Sequence, residues 1–248
     1  MTDAIYSDRR LARLYDVFEG HRADLDVYAA MVEEFGARTV VDVGCGTGTF
    51  ACLLAQRGID VVAVDPADAS LEVARAKPGA DLVRWVHGEV DALPGLQVDL
   101  VTMTGNVAQV FLTDAEWESA LRGVRTVLRP GGRMVFETRD PVEWRAWVNE
   151  ARAEKLTRTD VPGVGVVETR VDLTPVGPDL VCFGWTFVFM AEGVTVTADS
   201  TVRFRGREEL AHSLLAAGFV LEGVRGAPDR PGRELVFVAS SPEFQDGV

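Results

Sequence analysis

Val40-Val41-Asp42-Val43-Gly44-Cys45-Gly46-Thr47-Gly48-Thr49-Phe50 is the stretch that decides the fold. Residues 39–43 are apolar apart from one acid and the opening threonine, as a strand covered on both faces must be. Glycines follow at positions 44, 46 and 48, and residues 50–57 then carry a helical pattern that stops at Gly58. Glycine lets the chain turn with positive φ and lets a ligand approach the backbone. A helix opening behind such a turn offers unpaired N–H groups and a positive dipole end to a carboxylate or phosphate. Position 49 is threonine, so the dinucleotide spacing G-x-G-x-x-G is not met. Asp42 stands just before the loop, where an acid can order the turn and attract an ammonium group. Asp65 ends the next apolar run, where a carboxylate can accept bonds from both hydroxyls of a ribose. Each acid also has a local role open to it: Asp42 as a turn-former, Asp65 as a cap for the helix opening at Pro66.

Outward from this unit, strand and helix patterns alternate. Strands are expected at 60–65, 81–86, 98–103 and 133–138, and helices at 69–77 and 115–128. Pro78-Gly79 and Pro130-Gly131-Gly132 act as stops. Alternation of this kind implies a parallel sheet with helices on both faces, a doubly wound α/β fold. Two helical patterns precede it, near 8–19 and 23–35. From 163 to 204 the chain turns rich in Val, Thr and aromatics and reads as an antiparallel meander of about three strands of 5–6 residues. A helix at 207–217 and strands near 219–225 and 234–239 follow. The meander is too small to stand alone, so residues 1–248 are expected to form a single domain.

Val40 to Phe50 with Asp65 resembles motif I and the following acidic position of the class I S-adenosylmethionine (SAM)-dependent methyltransferases, of the small-molecule type. Gly88-Glu89-Val90-Asp91-Ala92-Leu93-Pro94 resembles the family's adenine-side loop. Val98-Asp99-Leu100-Val101 resembles its fourth strand, and Leu128-Arg129-Pro130-Gly131-Gly132-Arg133 its turn into the fifth. The resemblance implies a seven-stranded Rossmann-like sandwich whose last strand is antiparallel, with lid helices at 1–36 and the 163–204 insertion over the active-site edge. It implies SAM as cofactor and S-adenosylhomocysteine (SAH) as product. Gly44, Cys45, Gly46 and Gly48 then back onto the methionine part, with Asp42 near its amino group. Asp65 binds the ribose and Pro66 packs on adenine. Glu89, where the family usually has Asp, accepts from the adenine amino group, and the Val90 N–H donates to a ring nitrogen.

The carboxyl edge of such a sheet is where ligands sit. After the fourth strand comes Gly105-Asn106-Val107-Ala108, without the Pro-Pro of DNA amino-methylases. Gly-Asn here resembles glycine- and amino-sugar-methylating enzymes. Asn106 is thus a candidate for facing the methyl or the SAM amino group, with satisfaction of the turn as the alternative. Tyr15-Asp16-Val17-Phe18 and Tyr28 resemble a tyrosine-bearing lid helix, in which Tyr15 closes over SAM. Tyr15 with Leu11, Leu14 and Phe18 also makes an ordinary apolar helix face. The fifth strand ends Phe136-Glu137-Thr138-Arg139-Asp140. Glu137 is a candidate general base and Arg139 a candidate partner for a substrate carboxylate. Pairing with each other or with Asp140 is the alternative. Trp144, Trp147 and Trp185 flank this region and are candidates to line an apolar pocket or to fill core. Among the histidines, His87 is expected to be structural and His212 to lie on the surface. No histidine pair has metal-ligand spacing, so no metal is expected.

Net charge decides against polyanionic partners. With 25 Lys and Arg against 38 Asp and Glu, the chain carries −13 and repels nucleic acid and anionic lipid at long range. Three cysteines without a C-x-x-C fit a reduced, cytoplasmic protein. The longest uncharged apolar run, 180–191, is too short for a membrane helix. The expected function is methyl transfer from SAM to an N or O atom of a small molecule. The rivals are a non-enzymatic SAM-binding sensor or interaction protein and an NAD-dependent oxidoreductase. An aromatic face on 185–189 needs cover, either from a pocket or from a second copy of the chain in a homodimer.

Overall fold

The computed structural model describes residues 3–20, 22–93, 95–144, 156–228 and 230–243. His21, Pro94 and Trp147 lie outside them. In chain order the helices are α1 (Ala4–Ser7), α2 (Arg9–Glu19), α3 (Asp24–Glu34), α4 (Thr49–Gln56), α5 (Asp68–Arg75), α6 (Asp114–Val127) and α7 (Arg207–Ala216). The strands are β1 (Thr39–Val43), β2 (Asp60–Asp65), β3 (Val83–His87), β4 (Val98–Met103), β5 (Leu128–Arg139), β6 (Thr157–Val161), β7 (Gly165–Pro175), β8 (Leu180–Phe189), β9 (Val194–Arg203), β10 (Val220–Gly226) and β11 (Glu234–Ser240).

Seven strands form one sheet in the order β3-β2-β1-β4-β5-β11-β10. β1 pairs in parallel with β2 and with β4, and β11 runs antiparallel between β5 and β10. Adjacent residues of each strand enter opposite cores, as the pleat requires. Val41, Val43, Val62, Val64, Val101 and Met103 pack on one side with Trp117 and Leu121 of α6 and Leu210 and Leu214 of α7. Val40, Val61, Ala63 and Leu100 pack on the other with Tyr28 and Val32 of α3 and Phe50 and Leu54 of α4. The expected doubly wound seven-stranded sandwich is therefore present. At the edge opposite the loops, Asp99 accepts from the N–H groups of Arg38 and Thr39 at 2.7 and 2.9 Å, tying β4 to the start of β1.

The second sheet, β6-β7-β8-β9, is antiparallel. It has four strands, not about three, and β7 to β9 run 10 or 11 residues. β6 escapes a pattern reading because Thr157-Arg158-Thr159-Asp160 is polar and lies at the sheet edge. One face carries Val167, Trp185, Phe187, Phe189, Val196 and Ala198, the other Glu168, Asp172, Thr186, Thr195 and Thr197. The apolar face packs against Ile5, Leu11 and Leu14 of α1 and α2, which bury Phe187 and Phe189. The two N-terminal helices supply the cover that the sequence leaves open between a pocket and a second subunit, so no homodimer contact is needed to bury this face. α3 is not part of that cover. It belongs to the sandwich layer, and Tyr28 is buried there with its hydroxyl on Glu137, which corrects its expected place on a lid. No helix among the described residues is long and apolar enough to cross a membrane.

If α2 and the second sheet share a core, Leu14→Ala should destabilise the fold by about 2–5 kcal/mol, the cost of a buried leucine cavity. Urea unfolding followed by tryptophan fluorescence measures this. A loss below about 0.5 kcal/mol, the surface level, would show that α2 does not bury the sheet.

Candidate functional site

The glycine loop leaves β1 by three left-handed steps, with φ of 68°, 52° and 75° at Gly44, Gly46 and Gly48. Two of them also answer close approach. A Cβ on Gly44 would lie 2.6 Å from Val107, and one on Gly48 would lie 2.4 Å from the Trp85 ring. Gly46 meets nothing within 4 Å, so its backbone borders open space. The loop is held against β2 by backbone bonds from Gly44 and Cys45 to the Val64 carbonyl. The Asp65 carboxylate completes the clamp. It accepts from the Gly46 N–H at 2.8 Å and from the Ala67 N–H at 2.7 Å, joining the loop to the entry of α5. Asp65 does not cap α5, whose N-cap is Ala67 without a side-chain bond, and each Asp65 oxygen keeps a lone pair for a further donor.

Asp42 is 1% exposed. Its Oδ1 accepts from the Thr102 hydroxyl at 3.0 Å, and its Oδ2 has no protein partner. Burial pushes this carboxyl up to about 7, against the lowering bond from Thr102, with Asp65 adding to the rise. Pro66 and Glu89 are exposed beyond the ends of β2 and β3, and Val90 is buried. The Pro66 carbonyl lies 3.1 Å from His87 Nε2, and His212 is exposed. Cys45, next to the loop glycines, has its thiol pKa raised by burial.

Past β4, Asn106 takes φ 63°, the one positive φ outside glycine among the described residues. That conformation is tolerated by Asn better than by most side chains. Its Nδ2 donates to Glu234 Oε1 at 3.3 Å, while its Oδ1 is buried without a donor. Asn106, Tyr15 and Arg139 line one cavity of about 360 Å³, with Tyr6, Phe183, Trp185 and Phe187 among its apolar walls. The cavity lies between the carboxyl edge of the main sheet and the roof made by α1, α2 and the second sheet. The Tyr15 ring lies 6.0 Å from that of Tyr6, tilted by 56°, and burial raises its hydroxyl pKa. Trp144 packs on Phe183 and Phe204 at 5.5 and 5.0 Å.

Glu137 does not fit a general base. It is 0% exposed and accepts from the Tyr28 hydroxyl, the Gly105 N–H and Arg230 Nη2, so its lone pairs face protein donors. Nor does it pair with Arg139. Glu137 Oε2 bonds Arg230 at 3.2 Å, whereas Arg139 donates to Gln109 Oε1 at 2.9 Å. Glu137 instead supports the site, because its bond to Gly105 fixes the residue before Asn106.

The sequence pattern gives no sign of two further networks. Thr47 of the loop donates to Asp16 of α2 at 2.6 Å, and Lys77 bridges Asp16 and Thr49 at 2.7 and 2.6 Å, latching α2 to the loop. Arg230 binds Glu234 at 2.7 Å beside Glu137. Glu234 Oε2 has no donor unless one of these two carboxyls keeps a proton. Burial first, then the neighbouring Glu137, raises the Glu234 carboxyl well above the usual carboxylate range. Only the Gly-Asn and glycine-loop motifs mark this region in one dimension; the partners come from distant segments.

Residues 40–132 match the Methyltransferase domain family. The chain is 31% identical over 157 residues to the cypemycin N-terminal methyltransferase of a Streptomyces species, covering 62% of this chain and 64% of that protein. It is 29% identical over 157 residues to glycine N-methyltransferase of Mus musculus, covering 54% and 53%. The chain thus spans only half to two-thirds of the length of these curated relatives. In three dimensions it is similar to the CcbJ methyltransferase of Streptomyces caelestis, with TM-score 0.77 at 23% identity over 96% of this chain and 98% of that one. Residues 40–132 are thus similar to a methyltransferase domain, and the fold as a whole is that of solved methyltransferases.

Asp42 makes this site sensitive to pH. Its folded-state value near 7 exceeds the ordinary 3.8, so the folded protein keeps a proton that the unfolded chain has released. The stability this gives is full below the ordinary value and is lost as pH rises toward 7. Asp42→Asn cannot ionise. In ligand-free protein, the urea midpoint of the variant should therefore gain on the wild type between about pH 5 and about pH 8. A constant gap over that range would show that Asp42 is already ionised in the fold.

Proposed function

We propose that the protein transfers the methyl group of SAM to a nitrogen or oxygen atom of a small-molecule acceptor and releases SAH. The observation that carries this reading is that Asp42 Oδ2 and Asn106 Oδ1, at the ends of the adjacent strands β1 and β4, are buried acceptors without protein donors. Buried polar atoms are nearly always paired, and a ligand bringing N–H donors to this point satisfies both. Open space at Gly46 leaves room for such a ligand against the loop. When bound, SAM supplies a methyl group on a positively charged sulfonium, so no acid is needed to activate the leaving group.

In this reading Gly44, Cys45, Gly46 and Gly48 shape the methionine side and Asp42 faces the amino group. Asp65 offers its remaining lone pairs to the ribose. Pro66 flanks the adenine, and Glu89 with the Val90 N–H reads its edge. The chain's task is to align acceptor and methyl and to keep water out. Tyr15, the latched α2 and the second sheet close the cavity, and Asn106, held by Glu234 and the Gly105–Glu137 bond, orients what lies beneath them. The two curated relatives are N-methyltransferases by name, which favours nitrogen as the acceptor. The net charge of −13 favours a small acceptor over nucleic acid. A single domain with a cytoplasmic location completes the proposal.

Calorimetry should give micromolar affinity for SAH, about −8 kcal/mol, and none for NADH. Asp65→Ala should weaken SAH binding by about 1.5–3 kcal/mol, the range for bonds to a charged acceptor. Incubation with SAM and a panel of small amines and hydroxy compounds should release SAH with at least one of them. Binding without turnover on any panel member would favour the sensor, and NADH binding without SAH binding would favour the oxidoreductase.

A further inference from the structure

Three arginines line the cavity, and two are already matched by acids. Arg22 is bonded to Asp24 at 2.7 Å, and Arg230 to Glu234 at 2.7 Å and Glu137 at 3.2 Å. Arg139 has no carboxylate within 4.0 Å among the described residues. Its one side-chain bond is to Gln109, which is itself 1% exposed. That bond fixes the guanidinium by Nη1, and no hydrogen bond from Nε or Nη2 is made among the described residues. The cation lies 5.2 Å from the Trp144 ring centre and 5.9 Å from that of Phe183. Burial lowers its pKa, the sign of a cation held in poor solvent. Glu234 and Glu137 act on this half-buried cation only from beyond 4.0 Å, so its remaining donors stay open to an anion arriving from outside.

We infer that the methyl acceptor carries a carboxylate, and that Arg139, fixed by Gln109 and flanked by Trp144 and Phe183, is the group that holds it. This rests on the methyl-transfer reading above. The chemistry selects a carboxylate because one guanidinium offers a planar fork to one planar monoanion. A dianionic phosphate would call for more cations or a nest of N–H groups, and the nearby walls, Tyr6, Phe183 and Trp185, are apolar. The acceptor is therefore a small amino or hydroxy acid with an apolar body.

The test uses wild-type protein, R139Q and R139K, each saturated with SAH. Phenylacetate, 3-phenylpropionate and L-phenylalanine are titrated by calorimetry, each against its primary amide. In the wild type at least one acid should bind about ten- to a hundredfold tighter than its amide. R139Q should lose that preference, R139K should keep part of it, and SAH affinity should stay within about threefold in both. The inference is overturned if no acid is preferred by the wild type, or if R139Q retains the preference. It is equally overturned if R139Q loses SAH affinity in the same proportion, since the anion would then be the cofactor's own carboxylate. Should R139Q fail to fold, the wild-type contrast and R139K decide. If the wild type binds no SAH, the reading of the reaction falls, while the acid–amide contrast on the same protein still decides the subsite.

Discussion

β1 is hydrogen-bonded in parallel to β2 on one side and to β4 on the other. The chain therefore winds away from β1 in opposite directions on its two flanks, and the loops at its carboxyl end must part. That parting is the crevice in which ligands of open α/β sheets bind. Everything at the candidate site is placed by it. The glycine loop turns back over β2, where Asp65 and the Val64 carbonyl hold it. The β4 loop turns the other way and carries Asn106 in its left-handed conformation. The second sheet leaves after β5 and returns over the same edge. Covering its aromatic face with α1 and α2 encloses the cavity and satisfies the hydrophobic demand of the sheet at once.

A second constraint lies beneath the first. Glu137 is fully buried, and a carboxylate there has to be saturated with donors. Tyr28, Gly105 and Arg230 provide them, from α3, the β4 loop and the segment before β11. Arg230 in turn brings Glu234, which bonds Asn106. One buried charge thereby connects four separate segments to the residue that faces the cavity. Asp42 and Arg139 differ in kind, because each keeps bonding capacity that protein groups do not use.

The parts legible in the sequence are those whose physics is local. Strands at 39–43, 60–65 and 98–103 fall where apolar runs predict them, because a strand buried on both faces has no polar alternation to hide it. The glycine loop reads correctly because three positive φ values leave few alternatives to glycine. β5 is longer than the expected 133–138. Its first residues cross Pro130-Gly131-Gly132, and the strand survives there because Gly131 and Gly132 bond Ser241 beyond β11. No local pattern contains that partner. β6 is missed for the opposite reason, being a polar edge strand that pairs without being buried. The Glu137 network joins residues up to 128 positions apart, and the Asp16–Thr47–Lys77 latch joins three segments. Pairings of that range are set by tertiary packing, and residue type alone shows only that such groups need partners.

The central claim is that the parted loops at β1 and β4 form the seat of SAM, with Arg139 left for the acceptor. A crystal structure of the protein grown with SAH tests it most directly. The account predicts the ribose against Asp65, the amino group within hydrogen-bond distance of Asp42 or Asn106, and the Arg139 guanidinium clear of the cofactor. SAH seated away from the glycine loop, or with its carboxylate on Arg139, would contradict it.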